Sequence, residues 1–274
     1  MPNLSSQSAL VMLLLIGFST PAAAQLNSPG GANLKLTNDP GGPAPSHELD
    51  GTWVGPTDRR PPTEVPQFTA LGQQRFKLNK PEAEFKVSDT NDPFARNCDP
   101  VGFPRNTLLE LRGVPIGEMF PVTFASLPGR VLMLFQFQQT WRQIWIDGRP
   151  LPANVGGPQK GAPDPRYNGY SVGHWQADNE FVVDTVGLDD STWLNRAGYP
   201  HTVETHIQER YTRSDHNDLQ LTMTADDPKL YVKQFVLATI NLKWLPDQSL
   251  DQGEWLCIPS QLNEYLKIVG DRSN

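Results

Sequence analysis

The stretch HTVETHIQERYTRSDHNDLQLTMTA, residues 201–225, decides how this chain is read. Val203, Ile207 and Tyr211 fall on one face of its first half. In its second half Leu219, Leu221 and Met223 alternate with Gln220, Thr222 and Thr224. Period-two alternation is the mark of a half-buried strand. The polar SDHND between the halves is a hairpin loop. Two antiparallel strands joined so tightly leave no room for a crossover helix.

The same texture runs back to Leu108 and forward to Ile258. LLELR and EMFPVTFA are short segments broken by Pro115 and Pro121, followed by RVLMLFQFQ (130–138). TWRQIWID (140–147) ends at an Asp147-Gly148 turn, and residues 151–168 are a Gly- and Pro-rich loop. GYSVGHWQADNEFVVDTVG (169–187) is the clearest hairpin, with Asp178-Asn179 at its tip. LYVKQFVLATINLKWL (230–245) and EWLCI (254–258) complete the set. These make about nine or ten strands, which must close on themselves or stack. The expected fold is all-β: an antiparallel barrel or strongly curved sheet with one short helix and long loops. That helix is TALGQQRFKLNK (69–80), capped by Thr69 and stopped by Pro81.

The chain outside this region has other jobs. SALVMLLLIGFSTPAAA (8–24) has an apolar run from Ala9 to Phe18, then small residues before Gln25. That is the form of a cleaved signal peptide, with the cut near Ala24-Gln25, and its run falls short of the roughly 20 residues of a membrane span. Residues 25–47 read as a flexible leader, and residues 48–270 as a single barrel-like domain. The expected location is periplasmic or secreted. There Cys98 and Cys257 invite a disulfide, whose loop of roughly 160 residues would give on the order of 5 kcal/mol of chain-entropy stabilisation. A zinc site would want more Cys and His at close spacing. The net charge of −7 gives no basic patch for nucleic acid.

Gly51-x-Trp53, at the start of the first strand, resembles the lipocalin signature, in which a Trp packs across one end of a barrel. The resemblance implies a basic residue near the final strand covering that Trp, and Lys243 takes that part. A second resemblance covers most of the chain. NCDPVGFPR, RQIWIDGRPLP, GYPHTVETHIQERYTR and MTADDPKLYVK are similar to segments of a family of secreted bacterial proteins of unknown function. It brings no activity and no catalytic residues.

Candidate chemistry is spread over three places. His201, Glu204, His206 and Glu209 lie in one segment. On a strand, Glu204 and His206 share a face, while His201 and Glu209 lie opposite. A His beside a carboxylate is the composition of a general base, and a solvated strand face is the plain alternative. His174 faces the strand that carries Asp184, as a base pair or a structural cross-strand pair. Trp141, Arg142, Trp145 and Arg149 combine guanidinium forks with aromatic faces, suited to a carboxylate, a phosphate or a flat ring. Their plain reading is core packing for the two Trp and a turn held by Arg149 through Asp147. Trp193 is a further candidate for a pocket rim. No pattern calls for a metal or a cofactor. Two functions follow: an exported protein binding a small organic or carbohydrate-like ligand in a barrel pocket, or an extracytoplasmic lyase or hydrolase. In the second, His201, Glu204 and His206 do acid-base work and Arg stabilises charge.

Overall fold

The computed structural model describes residues 39–55, 59–60, 65–80, 90–108, 121–246, 254 and 256–271. The signal peptide expected at 1–24 lies outside them. The described strands are β1 (Gly51–Val54), β2 (Arg59–Arg60), β3 (Val122–Leu127), β4 (Arg130–Phe135) and β5 (Thr140–Trp145). They continue with β6 (Tyr170–Ala177), β7 (Glu180–Val186), β8 (His206–Arg213), β9 (Asp218–Asp226) and β10 (Phe235–Leu245). Helices are α1 (Ala70–Asn79), α2 (Pro93–Asn97), α3 (Arg105–Leu108) and α4 (Pro259–Asp271). Among the described residues no helix is long and apolar enough to cross a membrane.

Nine strands close a barrel in the order β1-β3-β4-β5-β6-β7-β8-β9-β10, and β1 pairs back onto β10 through Trp53 opposite Trp244. Closure removes the unpaired backbone edges that an open sheet would expose. Beyond the end of β1, β2 takes over the edge of β10, with Arg60 opposite Thr239. Every pairing is antiparallel except β5 with β6, which run parallel over only Ile144–Ser171 and Trp145–Val172. The expected hairpins stand: β6–β7 turns at Asp178-Asn179, and β8–β9 at residues 214–217.

The alternation sorts lumen from wall. Ile207, Glu209, Tyr211 and Arg213 of β8 are buried, as are Leu219, Leu221, Met223 and Ala225 of β9. They join one core with Phe124, Met133, Ile144 and Phe181. Trp53 plugs one end of the lumen, fully buried, its indole N–H donating to the Leu49 carbonyl at 2.9 Å. The cation over its ring is Arg213, 4.9 Å from the ring centre, and not Lys243. Ile240 and Leu242 are buried, so the next position on β10 turns the other way, and Lys243 pairs instead with Asp218 across β9. Arg213 is fixed by donating to the carbonyls of His216 (2.6 Å) and Glu48 (2.9 Å). Gly51 sits at φ +119°, and a Cβ there would come within 2.7 Å of the Trp244 indole nitrogen, so a side chain would obstruct closure.

Three expectations change. Asp39–His47 is not loose leader: Asn217 and His216 amides donate to Pro40 and Gly42 carbonyls, and His47 donates to Asp178. The segment around Cys257 is not a last strand. The disulfide to Cys98 forms, with Cα atoms 5.3 Å apart, but it joins the left-handed C-cap of α2 to the approach to α4. There is more than the one short helix expected: α4 is a further one, and Leu262, Tyr265, Leu266 and Val269 carry the i, i+3, i+4, i+7 spacing of a helix. The short helices α2 and α3 likewise go beyond that single helix. Helix α1 is as expected, with Thr69 accepting from the Gly72 amide at 3.1 Å.

The plug separates the two cations. Trp53→Ala will lower unfolding free energy by about 3–5 kcal/mol, the range for a buried aromatic. Lys243→Ala, which removes a partly exposed pair, will cost about 1 kcal/mol or less, both read by urea unfolding followed by circular dichroism.

Candidate functional site

Parallel neighbours cannot be joined by a tight turn; they need a crossover. Between β5 and β6 that crossover, residues 146–169, is irregular rather than helical. With two residue pairs to hold the seam, a groove of about 930 Å³ opens along it, walled by the outer face of β5, by Arg149–Ala153, and by Arg166–Val172. That is within the size of small-ligand sites, roughly 300–1,000 Å³.

Period two on β5 turns Arg142 and Ile144 inward and leaves Trp141, Gln143 and Trp145 on the outer wall. Trp141 is 58% exposed in the groove. Trp145 is covered on its ring by Arg149 at 3.4 Å. Arg149 is in turn held by Asp147, Nε to Oδ1 at 2.9 Å and Nη2 to Oδ2 at 2.6 Å, and this guanidinium lowers the Asp147 pKa. Across the seam Arg166 lies over the Tyr170 ring at 4.2 Å, and the Tyr170 hydroxyl donates to the Asp164 carbonyl. Asn168 ties this wall to β5 by donating to the Trp141 carbonyl at 3.3 Å. Tyr167 is 39% exposed, and partial burial raises its pKa, aided by Asp189 and Asp99, which keeps its hydroxyl protonated.

Arg142 does not offer its charge to this groove. Its side chain crosses the lumen to an ion pair with Glu209, both fully buried. Glu209 also accepts from the Tyr211 hydroxyl at 2.6 Å, the Arg142 Nε faces the Met133 sulfur at 3.2 Å, and the guanidinium packs on the Phe103 ring at 4.0 Å. Burial and the neighbouring carboxylate raise the Tyr211 pKa well above 10.0. Inward side chains from β3, β4, β5 and β8 therefore meet in the middle, with Tyr211 edge-on to Phe124 and its hydroxyl 3.7 Å from the Met133 sulfur. The seam groove lies outside this cluster.

The acid-base set does not assemble. The strand expected from His201 begins only at His206, because 201–205 is a turn in which Thr205 and the Thr202 amide both bond Asp227. His201 is buried beside Thr192, Nε2 to Oγ1 at 2.9 Å, in a recess of about 160 Å³ that Trp193 also lines. Trp193 is itself buried, under Arg105, and is no rim of the seam groove. Glu204 is exposed, paired with Lys229 at 2.7 Å, in a second groove of about 920 Å³. His206 lies on the outer wall and meets Asp184 at 2.9 Å, while Gln208 donates to the same oxygen; these bonds lower the Asp184 pKa. The hydrogen bonds to Asp184 thus come from His206 and Gln208, while His174 acts on it only through charge. His174 stands exposed on β6 opposite Val182. Among the described residues no three His, Cys, Asp or Glu converge as a metal-binding group.

Of the residues expected to bind ligand, Trp141 and Arg149 share the seam groove with Arg142 behind it, while His174 and Trp193 lie elsewhere. Arg166 and Tyr167 were missed. Their signal was DPRYNGY (164–170), an Arg between two turn-forming clusters with two Tyr beside it. No family model, curated protein or solved structure matches the chain.

Two measurements test this arrangement. Glu209→Ala leaves the Arg142 charge buried without its partner and will destabilise by about 3–5 kcal/mol in urea unfolding, whereas the double change Arg142→Met with Glu209→Leu will recover most of it. His201 is held below the ordinary histidine value of 6.5, first by burial. The folded state thus resists a proton that the unfolded chain accepts. The stability this group contributes is full above about pH 6.5 and falls as pH drops toward the folded value. Unfolding at about pH 7.5 and about pH 5 will show that loss in wild type and a smaller one in His201→Gln.

Proposed function

We propose that this is an exported binding protein that takes a small organic or carbohydrate-like ring in the groove at the β5–β6 seam. The observation that carries the reading is Trp141, 58% exposed inside a groove of about 930 Å³. A large indole left bare in a concave site has lost packing that a flat ligand restores. Tyr167 and the amides of Gln143 and Asn168 supply the few polar groups that orient a ring. Export is supported by the signal-like residues 1–24 and by the Cys98–Cys257 disulfide, which suits an oxidising compartment. The likeness of NCDPVGFPR and the DGRPLP and GYPHT segments to secreted bacterial proteins belongs to the same reading. A binder is favoured over a lyase or hydrolase because His201, Glu204 and His206 lie in three separate environments.

Titration of tryptophan fluorescence with a panel of neutral and charged aromatic rings and oligosaccharides tests this. At least one compound will saturate the signal, and Trp141→Ala will weaken it roughly three- to tenfold or abolish the response. Saturation unaltered by Trp141→Ala, or no response from any compound, removes the seam groove as the site.

A further inference from the structure

The seam groove is lopsided in charge. Arg142, Arg149 and Arg166 contribute to its lining and no Asp or Glu does, in a chain of net charge −7. The second groove, on the far side of Leu151-Pro152, is mixed, with Arg75 and Lys229 against Asp190 and Glu204. Two of the three seam cations are already answered: Arg142 by Glu209 and Arg149 by Asp147. Arg166 is not. Its guanidinium lies on the Tyr170 ring at 4.2 Å, and among the described residues no carboxylate pairs with it.

We propose that the ring ligand of this groove carries a single carboxylate, received by the Arg166 guanidinium while Trp141 holds the ring face. The inference rests on the reading of the groove as the ligand site. A guanidinium held over an aromatic ring spends none of its N–H donors on that contact, and its planar fork of donors matches the two oxygens of a carboxylate. The charge count selects the ligand further. One unanswered cation balances one negative charge, whereas a phosphate dianion would bring a second into a groove whose other arginines are spent. Tyr170 is itself anchored through its hydroxyl to the Asp164 carbonyl, so the platform under Arg166 is fixed before any ligand arrives.

Two kinds of molecule present a carboxylate on a ring of this size: aromatic acids and uronic acids. Calorimetric titration of the exported, disulfide-intact chain separates them, using 4-hydroxycinnamate and galacturonate, each a monoanion, beside its neutral methyl ester. The acid of one pair will bind about tenfold or more tightly than its ester, the scale of a hydrogen-bonded charge. The pair that responds identifies the carrier. Arg166→Gln will erase the acid's advantage without changing the ester, and Arg166→Lys, a charge without a fork, will restore part of it. Arg166 is exposed, so matching thermal melts of wild type and variants will show that folding is unaffected. Equal binding of acid and ester overturns the carboxylate and leaves the groove standing as a site for neutral rings. No binding by any of the four overturns the carboxylate for both carriers, and the fluorescence titration with neutral rings then judges the groove separately.

Discussion

The buried pair of Arg142 and Glu209 is the constraint around which the barrel is organised. An ion taken out of water costs several kcal/mol unless a partner and further hydrogen bonds meet it. Here the partner is three strands away in sheet order, Arg142 on β5 and Glu209 on β8, so the pair spans the lumen rather than lying along the wall. Tyr211 completes Glu209, Met133 and Phe103 surround Arg142, and Phe124 packs edge-on to Tyr211. A barrel filled in this way has spent its interior on its own cohesion. The seam groove lies outside this core.

Among the described strands one pairing of the barrel is shorter and differently directed. Eight of the nine closing contacts are antiparallel; the ninth, between β5 and β6, is parallel and short. A parallel neighbour demands a long connection, and that connection both widens the seam and supplies its walls. The stacked pairs Arg149–Trp145 and Arg166–Tyr170 stand on either side of it. The same period-two geometry that sends Arg142 to the lumen sends Trp141 and Trp145 to this wall. Core-facing and groove-facing positions are thus divided between adjacent residues of a single strand.

The far end of the molecule shows how caps replace strand edges. Trp53 and Arg213 close one end of the lumen, with Glu48 and His216 carbonyls fixing the cation. Asp39–His47 then lies across the 214–217 loop through backbone hydrogen bonds. Elsewhere Arg105 and Asp92 form a buried bidentate pair at 2.6 and 2.8 Å, tying α3 to the N-cap of α2, and the disulfide joins α2 to the approach to α4. The segments between the strands therefore serve as fittings on a finished barrel.

Strand identity, the hairpin turns, the capping of α1 and the cysteine partnership were legible in the chain because each depends on neighbours in sequence or on a count. Alternation put Glu209 with Ile207 and Tyr211, and composition marked Trp141, Arg142 and Arg149 as unusual. What alternation cannot give is which strand lies beside which. The parallel β5–β6 seam, the meeting of Arg142 with Glu209, and Arg213 rather than Lys243 over Trp53 all join residues distant in sequence, and each follows from barrel closure. His201, Glu204 and His206 are close in sequence and look like one site. A turn at 201–205 sends them to a buried recess, a second groove and the outer wall, because Asp227, distant in the chain, captures the Thr202 amide and the Thr205 hydroxyl and bends the backbone there. Local pattern determined the strands and the residues that need partners; closure of the sheet determined the partners, and with them which side chains remain free to meet a ligand.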